Sequence, residues 1–73
     1  MIIYKGIFEK LKAAGYTTTR LRNEKLIPEA VLTNIRRGRS ISLATLDKIC
    51  SLTKLPVGEL IEYREDDNEN KSL

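Results

Sequence analysis

Seventy-three residues make one domain at most, and a chain this short buries a small core in which every large apolar side chain counts. Cys50 is the only cysteine, which rules out a disulfide within the chain, and the absence of histidine removes the ligand sets zinc prefers; no metal and no cofactor is expected. The net charge of +3 conceals an asymmetry: residues 1–58 carry +7 and residues 59–73 carry −4, and a +7 body is the electrostatic footprint of a polyanion binder.

Met1 to Tyr4 is apolar but too short for the central region of a signal peptide, and no apolar run approaches the roughly 18 residues of a membrane span. The chain is therefore expected to be soluble and cytoplasmic, which suits a lone unpaired cysteine.

The first predicted helix runs from Tyr4 to Ala14, with Ile7, Phe8, Leu11 and Ala14 on one stripe of a 3.6-residue period and Gly15 as a left-handed C-cap. Thr17 can cap a second helix from Thr18 to about Lys25, in which Leu21 points inward. Leu26 and Ile27 interrupt the polar stretch, and Pro28 suits the start of a third helix that ends near Arg36, before Gly38. Val31, Leu32 and Ile35 form its apolar face. Ser42 caps a fourth helix whose stripe of Leu43, Leu46, Ile49, Cys50 and Leu52 or Thr53 predicts heavy burial; Leu55-Pro56 ends it. A short fifth helix is expected over about Pro56 to Ile61. The two end segments, 1–4 and 61–63, are rich in β-branched and aromatic residues and could pair as short strands. Composition predicts a disordered acidic tail over 64–73, leaving 1–63 as the domain. Its bland role is solubility; the sharper one is competition with DNA for the arginines.

Two short helices joined by a brief turn are the elements of a helix-turn-helix, whose second helix lies in the major groove. The exposed side of the third helix has fitting chemistry. Asn34 can bond adenine in bidentate fashion, Glu29 can accept from a cytosine amino group, and Thr33 can bond bases or phosphates. Ala30 and Val31 are small enough to approach a thymine methyl. Arg36, Arg37 and Arg39 surround Gly38 at the helix end, a density beyond what the helix dipole requires, and their planar forks suit phosphate oxygens.

These residues carry a resemblance. KLKAAGYTTTRL, VLTNIRRGRSIS and LATLDKICSLTKLPVGELIEY resemble the Cro and lambda-repressor (XRE-type) helix-turn-helix domain, in its short single-domain bacterial and phage branch, over residues 7–60. The resemblance implies an all-α, compact five-helix domain that acts as a homodimer on near-palindromic double-stranded DNA, with no catalysis and no small-molecule ligand. It implies base-reading roles for Glu29, Ala30, Val31, Thr33 and Asn34, and phosphate contacts for Thr18, Arg37 and Arg39. Two positions depart from the pattern. Arg22 stands where a small residue is usual, and Leu26 where glycine is usual, which predicts strain in the turn of about 1 kcal/mol or more.

The functional expectation is a sequence-specific transcriptional regulator, most simply a repressor associated with the nucleoid. The alternative is a protein-interaction module of the same fold, antitoxin-like or anti-repressor, favoured by Arg22 and Leu26. An enzyme is not expected: the chain has no histidine, no glycine-rich phosphate loop and no nucleophile with a base at a recognisable spacing.

Overall fold

Residues 1–65 are described by the computed structural model of the chain. In chain order they form strand β1 (Ile2–Tyr4), helices α1 (Ile7–Ala13), α2 (Thr18–Asn23), α3 (Glu29–Arg36) and α4 (Leu43–Thr53), a single 3-10 turn (Val57–Glu59) and strand β2 (Ile61–Tyr63). Among the described residues four α-helices are present rather than five. The expected fifth is one 3-10 turn, because Ile61 already belongs to β2 and leaves no room for a second turn.

The end segments do pair. β1 and β2 are antiparallel, with Ile2 opposite Tyr63, Ile3 opposite Glu62 and Tyr4 opposite Ile61. The Lys5 amide donates to the Leu60 carbonyl at 2.8 Å, and the Arg64 amide to the Met1 carbonyl at 2.8 Å, so the ladder continues one rung at each end. The first helix consequently starts later than its periodicity suggests. Gly6 takes a left-handed conformation (φ 60°), which lets the chain leave the strand and turn into α1 at Ile7. The expected disorder of the acidic tail concerns residues 66–73, which lie outside the described residues.

Three helices end in the same device. After α1, α2 and α3, a residue with positive φ sits at Gly15 (96°), Lys25 (54°) and Gly38 (72°). In each case the next amide reaches back to the helix: Tyr16 to Leu11 at 2.8 Å, Leu26 to Leu21 at 2.9 Å, and Arg39 to Asn34 at 2.7 Å. These are Schellman motifs, which satisfy carbonyls left over at a helix end. At their starts, the Thr17 hydroxyl accepts from the Arg20 amide (3.2 Å) and the Ser42 hydroxyl from the Thr45 amide (3.1 Å).

The core is built from one or two side chains per element: Ile7 and Leu11 of α1, Leu21 of α2, Leu32 and Ile35 of α3, Leu46 and Ile49 of α4, with Leu60 below. Ile27, between α2 and α3, is buried to the same degree as Ile7. Leu43 departs from the expected stripe and is 83 % exposed. It is the first residue of α4, where a side chain leans toward the helix N-terminus and so past the edge of the core. Cys50, expected as a core thiol, is half-buried against the cluster.

Candidate nucleic-acid interface

A 3.6-residue period places Glu29, Ala30, Thr33, Asn34 and Arg37 on one arc of α3 and Val31, Leu32 and Ile35 on the other. Burial follows this division. Leu32 and Ile35 are buried and Val31 is packed against the core, whereas Glu29, Ala30 and Arg37 are exposed and Thr33 and Asn34 are half-exposed. Val31 therefore spends its side chain mainly inward, while the other four candidate base readers share the outward arc. Neither Thr33 nor Asn34 has its side chain engaged in a hydrogen bond among the described residues.

The turn that presents this helix is held from inside and outside. Inside, Ile27 plugs the core between α2 and α3. Outside, the Arg22 guanidinium donates to the Glu29 carboxylate and ties the end of α2 to the start of α3. Arg22 thus occupies the close contact as a clamp rather than as an obstruction. Leu26 carries no strain either: the left-handed position of the turn falls on Lys25, one residue earlier, and Leu26 completes the Schellman motif with its amide on Leu21. Pro28 (φ −60°, ψ 149°) is the extended cap residue before α3, and its carbonyl receives the amides of Val31 and Leu32.

The cations divide into two sets. Arg20 and Arg22 are paired internally. Arg20 donates to Glu24 at 2.8 Å and to the Gly15 carbonyl at 2.9 Å, and its guanidinium lies 4.6 Å above the Tyr16 ring. The hydrogen bond to Glu24, then that carboxylate's charge, raises the Arg20 pKa further above its ordinary value. Arg36, Arg37 and Arg39 have no carboxylate within 4.0 Å among the described residues. Arg36 is held over the Phe8 ring at 5.6 Å, a contact that orients the guanidinium without neutralising it. Arg37 closes α3, and Arg39 is fixed through its backbone: its amide bonds Asn34, and its carbonyl accepts from the Tyr4 hydroxyl. Burial raises the pKa of that hydroxyl above the tyrosine value of 10.0, so it remains a donor.

Thr18 is half-buried at the first position of α2. It lines an open cleft of about 410 Å³ with Phe8, Glu9, Lys12, Thr17 and Thr19, between α1 and the start of α2. Lys12, which the sequence did not single out, thereby joins the hydroxyls of this side. The Arg22–Glu29 clamp and the Ile27 plug were also missed. An apolar pair between two capped polar helices was a visible sign of the plug; the clamp spans seven residues around a turn whose path no periodicity reveals.

Among the described residues there is no group of three or more cysteine, aspartate or glutamate side chains placed to hold a metal ion. No helix is long and apolar enough to cross a membrane. A family model described as the Cro/C1-type HTH DNA-binding domain matches residues 7–66 of the chain. No curated protein and no solved structure matches the chain significantly.

Proposed function

The chain belongs to the Cro/C1-type HTH DNA-binding family, and we propose that it is a sequence-specific transcriptional repressor that reads the major groove with α3. The observation that carries this reading is the conjunction at α3. An outward arc of Glu29, Ala30, Thr33 and Asn34 is followed within five residues by Arg36, Arg37 and Arg39, cations without a carboxylate partner among the described residues. A major groove about 12 Å wide admits one such helix, and flanking phosphates supply the charge these guanidinium groups lack.

In this reading Asn34, Thr33 and Ala30 face base edges. Glu29 is shared between Arg22 and the DNA. Its pair with Arg22 is about half exposed on both sides (51 % and 52 %), so its net worth is under about 1 kcal/mol and a base can displace it. Thr18, with Lys12 beside it, and the three arginines hold the backbone on either side of the groove. Two copies on half-sites one helical turn apart give the operator its symmetry, and occupancy excludes other proteins from the same DNA.

Selection from a random duplex library at stated salt tests the reading. It should return a motif with two related half-sites. Arg37→Ala should weaken binding to all sequences alike, and Asn34→Ala should relax discrimination at one base position at a cost of about 1–3 kcal/mol. Recovery of a stoichiometric protein partner and no enriched DNA would favour the protein-interaction alternative.

A further inference from the structure

Among the described residues three ion pairs form. Arg20–Glu24 lies within or beside α2 and Arg64–Glu62 at the end of β2, and neither carboxylate belongs to the outward arc of α3. Arg22–Glu29 differs. It joins a cation of α2 to the first residue of α3, which is itself a candidate base reader. The bond uses one atom on each side, Nε of Arg22 and Oε1 of Glu29. The two terminal nitrogens of Arg22 and the Oε2 atom of Glu29 make no hydrogen bond among the described residues. Both side chains are about half exposed, so water screens the pair and little opposes its opening.

The place of the pair decides what can open it. In a helix-turn-helix the first helix crosses the DNA backbone, and the second meets base edges with its N-terminal residues. Docked in this way, Arg22 stands at the rim of the groove beside phosphate and Glu29 stands over a base. A carboxylate accepts a hydrogen bond from the cytosine amino group, whereas guanine presents only acceptors to it.

We propose that Arg22 is a specificity-determining residue held in reserve by Glu29: its phosphate contact forms only when a cytosine takes up the Glu29 carboxylate. The inference rests on the reading of the major groove by α3. On a cognate site the cytosine amino group replaces Arg22 at the carboxylate, and the freed guanidinium neutralises a phosphate. On other DNA the pair stays closed, and that phosphate keeps its counterions. Arg36, Arg37 and Arg39 have no carboxylate partner among the described residues, so their phosphate contacts do not depend on sequence. A base contact and a backbone contact are thereby coupled, and one wrong base loses both.

Affinity as a function of salt tests this on two duplexes. One is the duplex selected from a random library; the other has guanine in place of the cytosine read by Glu29. That cytosine is the position at which selection with Glu29→Gln returns adenine, since a side-chain amide is bidentate on adenine. For the wild type the log–log slope should be steeper on the selected duplex by about 0.9, roughly 3.5-fold in affinity over a fourfold change in salt. Arg22→Lys should keep this difference, because one cation still reaches one phosphate. Arg22→Gln should abolish it by lowering the slope on the selected duplex. Glu29→Gln should abolish it from the other side, by raising the slope on the substituted duplex. The pair is exposed, so all three variants should melt close to the wild type, which separates the slopes from any loss of fold. Equal wild-type slopes on the two duplexes would overturn the inference. So would a difference that survives Arg22→Gln, or a selected motif with no cytosine that responds to Glu29→Gln. A chain that forms no salt-dependent complex with any duplex would instead sink the reading of DNA by α3 itself.

Discussion

Lys25 holds the left-handed position on which the turn between α2 and α3 depends, and lysine is a poor residue for it. A β-carbon there costs about 1–2 kcal/mol, part of which glycine returns as chain entropy. Lys25→Gly should therefore stabilise the fold by about 0.5–1 kcal/mol and raise Tm by several degrees, about 4–8 °C per kcal/mol for a domain of this size. A thermal melt with no upward shift would place the strain elsewhere. Tyr4 gives a pH dependence. Its folded pKa is raised by burial, and only the neutral hydroxyl donates to the Arg39 carbonyl. The contribution is thus full below about pH 10 and lost as pH rises through the raised value. The wild type should lose more stability than Tyr4→Phe between about pH 9 and pH 11; equal losses would show that the phenol is not responsible.

At the scale of elements, sequence and structure agree where a local rule acts alone. Gly15 and Gly38 marked helix ends, Thr17 and Ser42 marked helix starts, and each does so in the fold. The exposed arc of α3 was also legible, because a buried face fixes its opposite. What escaped the sequence depended on non-local contact. The first helix lost its leading residues to a strand whose partner lies some sixty positions away. Leu43 kept helical spacing but overhangs a core whose extent the period does not encode. The Arg22–Glu29 clamp escaped for the same reason, and it is testable. Glu29→Gln removes the carboxylate and releases Arg22 toward phosphate. Affinity for unrelated duplex should rise and the dependence of log K on log salt should steepen by about 0.9. Stability should move by less than about 1 kcal/mol, since the pair is exposed. An unchanged slope would mean that Arg22 reaches no phosphate.

For the molecule as a whole, nine apolar side chains among the described residues form the core on which the helices and the ribbon converge, so the outward arc of α3 is only as firm as that core. Ile27 joins the two properties, being fully packed and lying in the turn that aims α3. Ile27→Ala should cost about 2–5 kcal/mol, a large share of the stability of so small a domain. DNA affinity should fall with the folded fraction, and restoring the fold with a stabilising co-solute should restore part of it. A variant that stays fully folded by circular dichroism would show that the turn does not rely on this plug. Arg36, Arg37 and Arg39 have no carboxylate partner among the described residues, and they stand at the end of the helix proposed to enter duplex DNA. The most direct measurement is the affinity for selected duplex as a function of salt, in the wild type and in the triple variant with alanine at all three positions. The wild type should show a steep inverse dependence, reduced in the triple variant by about 0.9 in log–log slope for each phosphate lost. A shallow slope shared by both proteins would contradict it.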